Sequence, residues 1–312
     1  MFAQSHLKSP FTADLNIGQL VLIAGQGLLP QLIAQSAAEN FVPLHIVALK
    51  DQTDAAWLAQ YPHTWLSVGQ VGRLKKLLKS WQATHLVLAG GVKRPNMLAV
   101  KPDLGAFGLW WHLQKTPMGD DGLLRAIASY ITEGTAVKLL GADQLLPHCM
   151  TPLGALSTQT LSAGQWRSVA LGVQAAHWLG RADVGQAVVV QDGFVLGVEA
   201  VEGTDALIER CADLAKPKGS KPILVKMKKP QQDMRLDLPT VGTRTIEQLQ
   251  KFGYSGLAVE AGGTLCLELP KMVDLANQYG LTLTGVADAA HQQNSGQQNS
   301  GQQISGGVTH AP

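Results

Sequence analysis

The chain has 312 residues, of which 46% are hydrophobic and 15% are charged, and its formal net charge is +2 at pH 7. This length and composition suit two globular domains and exclude a largely disordered protein. So small a net charge argues against a nucleic-acid-binding protein, which normally carries a strong basic excess.

The three cysteines, Cys149, Cys211 and Cys266, stand far apart in the sequence. Their number and spacing fit neither a zinc site nor a disulfide framework, so we expect a cytoplasmic protein. Residues 1–18 form an N-terminal extension without the apolar core of a signal peptide. No apolar run reaches the roughly 18 residues of a transmembrane helix. Contact with a membrane, such as the inner membrane, is therefore expected to be peripheral at most.

Apolar runs alternate with helical patterns over residues 19–148. The first predicted strand, 19–24, is almost continuously apolar, which is typical of a parallel strand buried on both faces. Further strands are predicted at 43–49, 64–68 and 85–89, and helices at 30–39, 71–81 and 120–132. This alternation predicts an α/β fold that begins with an N-terminal Rossmann-like, parallel-sheet domain.

Residues 149–165 are loose and polar in composition, with Pro152, Gly154, Ser157 and Thr158, and are predicted to be a linker. Residues 166–287 predict a C-terminal mixed α+β domain. Its predicted helices are 169–179, 205–214, 243–252 and 269–279, and its predicted strands are 186–191, 194–200, 223–225, 257–260, 264–267 and 281–286. Hairpins are expected across Asp192-Gly193 and across Gly262-Gly263. The Gln-rich repeats of the tail, 288–312, predict disorder.

Two glycine turns follow predicted parallel strands, so both are expected at the same edge of the sheet. The candidate binding residues in and after these turns are Gly25, Gly27, Leu28, Gly90, Gly91, Lys93 and Arg94. Backbone N–H groups at a strand-to-helix turn can bind a phosphate, and the two cations can assist. The alternative interpretation is a tight connection followed by a loop with two surface cations.

Two helix starts offer further candidate binding residues. Asp121 follows Asp120 at the beginning of a predicted helix, where one carboxylate caps the helix and the other is free to face a cleft. Glu202 and Gly203 precede another predicted helix, whose start contains Thr204 and Asp205. A helix start can bind an anion. The alternative here is a capped helix with exposed acids.

The segment from Lys226 to Gly242 combines cations, carboxylates and a proline. If residues 233–238 are extended, Asp233, Arg235 and Asp237 share one face of the strand. The apolar residues between them share the other face, and Pro239 ends the strand near an exposed mouth. Such a face suits Mg²⁺ and a phosphate, with Asp237 as candidate metal ligand. The alternative is a structural ion-pair strip, although surface ion pairs contribute little to stability.

Together these residues predict Mg²⁺-assisted attack of water on a phosphoanhydride. The motifs that contain these residues also resemble, in the same order along the chain, the motifs of a known protein family. The motifs that carry the resemblance lie at residues 22–30, 89–95, 119–121, 183–193, 202–205 and 232–242. They resemble UDP-2,3-diacylglucosamine pyrophosphatase of the lipid A pathway in Gram-negative bacteria, the family distinct from the calcineurin-like enzyme.

The resemblance implies hydrolysis of UDP-2,3-diacylglucosamine to 2,3-diacylglucosamine 1-phosphate and UMP, with water attacking the sugar-side phosphorus. It implies a divalent cation, usually Mg²⁺, a lipid-linked UDP-sugar substrate held between two domains, and a homodimer. The aspartate of the family's Arg-x-Asp-Leu-Pro-Thr motif, which is important for catalysis, falls on Asp237, and the same motif brings in Thr240. A substrate-contacting segment of the family falls on residues 202–205.

On this basis Asp237 is the candidate catalytic carboxylate, assisted by Asp233 and Arg235. Lys226, with Lys93 and Arg94, is expected to hold the diphosphate. A non-catalytic protein that binds a nucleotide sugar or lipid phosphate remains the alternative. A nicotinamide-dependent oxidoreductase is a weaker one, because Lys50-Asp51 follows the second strand where such proteins carry one ribose-binding acid.

Overall fold

The computed structural model describes residues 15–92, 103, 105, 108–109, 111 and 120–288, with the side chains of Asp120 and Asp121 excepted. The predictions made for Lys93, for Arg94 and for most of the Gln-rich tail lie outside these residues.

The first domain is built on a parallel five-stranded sheet in the order β3-β2-β1-β4-β5. Its strands are β1 (Leu20–Ala24), β2 (Leu44–Leu49), β3 (His63–Leu66), β4 (His85–Ala89) and β5 (Lys138–Leu139). Its helices are α1 (Leu29–Glu39), α2 (Val71–Ser80), α3 (Asp120–Thr132) and α4 (Ala142–Leu145), with short 3-10 turns at Leu58–Gln60 and Pro147–Cys149. The predicted Rossmann-like parallel sheet is confirmed.

The apolar sequence of β1 is explained by burial on both faces of the sheet. Leu20 and Leu22 pack in one layer with α1 and α4. Val21 and Ile23 pack in the opposite layer with α2 and α3. Every residue of β1 is buried, as expected for the central strand of a parallel sheet covered by helices.

The second domain contains a mixed six-stranded sheet in the order β6-β13-β11-β9-β7-β8. Its strands are β6 (Gly154–Ala155), β7 (Ala187–Gln191), β8 (Phe194–Val198), β9 (Ile223–Lys226), β11 (Gly256–Glu260) and β13 (Thr282–Val286). A separate parallel pair joins β10 (Thr240–Val241) to β12 (Leu265–Cys266). The helices are α5 (Ala163–Arg181), α6 (Thr204–Leu214), α7 (Thr243–Lys251) and α8 (Leu269–Tyr279). The predicted mixed α+β domain is confirmed.

Two local predictions differ from the structure. The hairpin expected across Gly262-Gly263 is wrong, because β11 pairs in parallel with β9 and β13 while β12 pairs with β10. Short apolar runs look alike in hairpins and in buried parallel strands, so their spacing does not reveal the partner. The segment predicted as a linker, 149–165, contributes β6 to the second sheet, antiparallel to β13.

The two domains share a hydrophobic core. Leu238, Leu265 and Leu267 of the second domain lie in the same buried cluster as Leu20 and Ile33 of the first. Met234 packs against this cluster as well. The segment that carries the candidate catalytic residues is therefore anchored to the first domain by its apolar side chains.

Candidate functional site

A cavity of about 690 Å³ lies between the domains. Several residues predicted from sequence line it together: Gly25, Gly27, Leu28, Gly90, Gly91, Arg235, Asp237 and Thr240. Much of the remaining wall is aliphatic and comes from the first domain: Ile23, Leu49, Leu66, Leu74, Leu88, Leu124 and Ile127. The cavity thus combines a large apolar wall with a polar edge from the second domain.

The two glycine turns meet because β1 and β4 are neighbours in the sheet. Gly25 N donates to Ala89 O at 2.8 Å, and Gln26 N donates to Gly91 O at 2.8 Å. A Cβ on Gly25 would lie 2.5 Å from Gly91 O. Glycine is therefore needed at this position for the loops to pack on each other. These amides bond the neighbouring loop, and so they do not form the phosphate cradle that the sequence predicted for the first turn.

The part of the first turn that faces the cavity is the start of α1. Gly27 has φ +96° and open space around its Cα, and Leu28 precedes the helix. Among the described residues no side chain caps the first turn of α1. The free N–H groups and the helix dipole make this end of the cavity favourable for an anion.

Residues 233–238 do not form the extended strand that the alternating pattern predicted. Leu236 N and Asp237 N both donate to Asp233 O, at 2.9 and 3.2 Å, which closes a turn. Asp233 Oδ1 also accepts from Arg235 N at 3.0 Å. An aspartate that bonds the backbone two residues on favours a turn over a strand. The shared face of Asp233, Arg235 and Asp237 is therefore a correction to the sequence prediction.

Asp233 and Arg235 form an ion pair with each other. Arg235 Nε donates to Asp233 Oδ1 at 3.0 Å, and a terminal guanidinium nitrogen donates to Oδ2 at 2.7 Å. The hydrogen bonds from this guanidinium hold the pKa of Asp233 below its usual range. Both carboxylate oxygens of Asp233 are engaged, so this residue supports the turn rather than a metal ion.

Asp237 is exposed on the cavity wall, and Gln232 contacts it directly. Gln232 Nε2 donates to Asp237 Oδ2 at 2.8 Å. Gln232 is itself buried, and its Oε1 accepts from Lys229 N at 3.1 Å. The sequence reasoning missed Gln232, although it opens the same motif as Asp237.

Lys226 contacts both Thr204 and Thr240. Lys226 is only 7% exposed, and its Nζ donates to Thr204 Oγ1 at 3.2 Å and to Thr240 O at 3.3 Å. Thr204 Oγ1 donates in turn to Glu199 Oε1 at 2.5 Å. Glu199 is buried and was not among the candidate site residues. Three predicted binding residues thus belong to one hydrogen-bonded cluster beside the cavity.

The other acids of the 202–205 segment point elsewhere. Glu202 pairs with Arg210 at 2.9 Å, and its pKa is lowered by backbone hydrogen bonds and by Arg210. Asp205 pairs with Arg244 at 2.7 Å on the surface. Neither lines the cavity, so the structure places them in surface ion pairs instead of the predicted binding site. Asp121 lies at the start of α3, whose Leu124 and Ile127 line the cavity.

The architecture defines a two-domain α/β protein with an interdomain cavity that is apolar on one side and ionisable at its edge. Residues 19–149 match the LpxI N-terminal domain, and residues 152–284 match the LpxI C-terminal domain. The chain belongs to the LpxI family.

A curated relative, the UDP-2,3-diacylglucosamine pyrophosphatase LpxI of Caulobacter vibrioides (strain ATCC 19089 / CIP 103742 / CB 15), is 32% identical over 277 residues. The match covers 86% of this chain and 97% of the relative. A solved structure of the UDP-glucose 4-epimerase of Thermus thermophilus, in complex with NAD, was also compared. The match covers 46% of this chain and 41% of the epimerase chain. Its identity of 9% and TM-score of 0.25 are too low to inform fold or function.

Within the described residues, no helix has the length and apolar character needed to cross a membrane.

Proposed function

We propose that this protein hydrolyses the pyrophosphate bond of UDP-2,3-diacylglucosamine in lipid A biosynthesis, giving 2,3-diacylglucosamine 1-phosphate and UMP. The proposal is supported by membership of the LpxI family and by the activity in the name of the Caulobacter relative. The structural observation that carries it is the interdomain cavity. Its aliphatic wall suits acyl chains, and its edge presents Asp237 where a diphosphate can lie against it.

In this mechanism Asp237 is the general base. Water attacks the phosphorus attached to the sugar, a new P–O bond forms, and the bond to the bridging oxygen breaks so that UMP leaves. Asp237 accepts the proton of the attacking water, and Gln232 fixes the carboxylate through its 2.8 Å hydrogen bond. The apolar wall buries the acyl chains and so orients the sugar phosphate at the edge of the cavity.

The residues present are compatible with Mg²⁺ held mainly by the substrate. Among the described residues, no group of three or more His, Cys, Asp or Glu side chains is arranged to hold a metal ion. Magnesium typically binds one or two carboxylates together with water and substrate phosphates. Asp237 is the carboxylate on the cavity wall that suits this role. When bound, the cation neutralises negative charge on the diphosphate.

The diphosphate itself is held by cations and backbone amides. Lys226 lies behind Thr240, and the uncapped start of α1 faces the same cavity. We include Lys93 and Arg94 in this group because they follow Gly91, which lines the cavity. Asp233 has a supporting role, because it orients Arg235 and closes the turn before Asp237.

The decisive experiment incubates the purified protein with UDP-2,3-diacylglucosamine and Mg²⁺ in ¹⁸O-water. We expect UMP release and label in the lipid phosphate, with both abolished by EDTA. Label in UMP would contradict attack at the sugar-side phosphorus. Substrate binding without any UMP release would instead support a non-catalytic binding protein.

The same proposal includes a homodimer and peripheral contact with the inner membrane. Light scattering after gel filtration measures the oligomeric state, and flotation with vesicles of inner-membrane lipids measures membrane contact. A monomer in the first assay, or no flotation in the second, contradicts the respective part of the proposal without affecting the activity.

A further inference from the structure

Glu199 is a carboxylate buried at the end of β8, away from the cavity wall but linked to it. It is 7% exposed. Its Oε2 accepts from Gln186 N at 3.1 Å, and its Oε1 accepts from the hydroxyl of Thr204 at 2.5 Å. A buried carboxylate that accepts two hydrogen bonds has a defined orientation, because leaving it unbonded would carry a large desolvation penalty.

The backbone around Glu199 is also fixed. Glu199 N donates to Ala187 O at 2.8 Å. A Cβ on Gly185 would lie only 2.2 Å from Glu199 O, so the two chain segments approach as closely as glycine allows. Gly203, at φ +81°, then turns the chain into α6 and brings Thr204 back to the carboxylate. The fold therefore holds the side chains of Glu199 and Thr204 within hydrogen-bond distance of each other.

Thr204 links Glu199 to Lys226. A hydroxyl has one proton to donate and can accept hydrogen bonds as well. The Thr204 proton goes to Glu199, so its oxygen accepts from Lys226 Nζ at 3.2 Å. The buried ammonium and the buried carboxylate are thus joined through a single hydroxyl, and their opposite charges balance.

Lys226 connects this cluster to the cavity. An ammonium has three N–H donors, and in the described structure two of them are directed at Thr204 Oγ1 and Thr240 O. Thr240 lines the cavity three residues after Asp237. Lys226 does not itself line the cavity, so a ligand oxygen can reach its third donor only next to Thr240.

We propose that Glu199 is a positioning residue that orients Lys226, through Thr204, for binding of the diphosphate. The inference rests on the proposed function only in taking the diphosphate as the ligand. Glu199, Thr204 and Lys226 do not line the cavity, so the effect of Glu199 on a ligand passes through Lys226 at Thr240, which does line it.

The kinetic test compares Glu199→Gln with wild type and with Glu209→Gln, which neutralises an exposed carboxylate on α6. We expect Glu199→Gln to raise KM about 10-fold or more, because a hydrogen bond to a charged group is lost. The value of kcat should change much less, because the chemical groups are untouched. A variant with unchanged KM, or one that loses only kcat together with Tm, would show a structural role and overturn the proposal.

A double-mutant cycle tests whether Glu199 acts through Lys226. Lys226→Met keeps most of the length of the side chain and removes its charge. If Glu199 works only by orienting Lys226, the Glu199→Gln/Lys226→Met double variant should have the same KM as Lys226→Met alone. Fully additive effects on KM would overturn the positioning role.

Binding of inorganic pyrophosphate, measured by calorimetry, separates this inference from the proposed activity. If wild type releases no UMP but binds pyrophosphate about 10-fold more tightly than Glu199→Gln, the proposed function fails and the positioning role stands. Equal affinities for wild type, Glu199→Gln and Glu209→Gln would overturn the positioning role whatever the activity. Absence of pyrophosphate binding by wild type would overturn it too.

Discussion

The side-chain amide of Gln232 donates a 2.8 Å hydrogen bond to Oδ2 of Asp237. Gln232 is buried and is anchored by its own acceptor contact with Lys229 N, whereas Asp237 is exposed on the cavity wall. A buried, anchored donor thus fixes the direction of an exposed carboxylate. Such support is what a general base requires for a reproducible position relative to water.

Changing Gln232 to Glu tests this relationship. The substituted carboxylate can still accept from Lys229 N, but it cannot donate to Asp237 and adds a negative charge beside it. We expect kcat to fall about 10- to 100-fold, because a hydrogen bond to a charged group is lost and repulsion is added. Steady-state UMP release measures the effect, and Gln250→Glu, on the exposed face of α7, is the matched control. Unchanged kcat in Gln232→Glu would contradict the positioning role of Gln232.

Asp237→Ala is expected to abolish turnover while leaving the fold and lipid binding intact. Removing a general base lowers the rate by about 100- to 10,000-fold. Asp237 is exposed, but its removal takes the acceptor from the buried Gln232 amide, so the free energy of unfolding should fall by about 1 kcal/mol. Assays of UMP release, binding of the diacyl substrate and thermal unfolding check the three expectations. Near-normal hydrolysis by the variant would remove Asp237 from the centre of the mechanism.

The layered architecture could be predicted from local sequence patterns. The apolar run of β1 and the alternation of strands with helices indicated a sheet covered on both faces, and the structure confirms it. These features depend on neighbours in the chain, which is why periodicity detects them.

The contacts within the site could not be predicted in the same way. Alternation predicted an extended face at residues 233–238, but the hydrogen bonds of Asp233 to the backbone two and three residues on favour a turn. The turn at Gly25 packs against Gly91, which depends on the adjacency of β1 and β4. The role of Glu199 depends on contacts with Thr204 and Gln186 that only the fold brings together.

Gly25→Ala tests the packing of the two glycine turns. The added Cβ would lie 2.5 Å from Gly91 O and 2.8 Å from Gly90 O, so one of the loops must move. We expect a loss of about 1–3 kcal/mol in the free energy of unfolding, the usual cost of overpacking. At Gly91 a Cβ meets no atom within 4 Å, so Gly91→Ala is the matched control for stability. Urea unfolding measures both variants, and equal stabilities would show that the loops do not pack as described.

The ion pair between Asp233 and Arg235 predicts a pH-dependent contribution to stability. Hydrogen bonding from the guanidinium lowers the pKa of Asp233 in the folded protein below the value of about 3.9 in an unfolded chain. The contribution is therefore fully present above about pH 3.9 and is lost as the pH falls through the lower folded value. Since Arg235 is largely exposed, solvent screening limits the contribution to about 1 kcal/mol or less.

Asp233→Asn removes the charge and leaves an oxygen to accept from Arg235 N, so it isolates this contribution. The variant should be less stable than wild type at pH 7, and the difference should shrink as the pH falls below about 3.9. Urea unfolding at about pH 7, 5 and 3 brackets that transition, with Asp213→Asn on the exposed side of α6 as the control. A difference that stays constant over this range would show that Asp233 stabilises the turn through geometry alone, without a contribution from its charge.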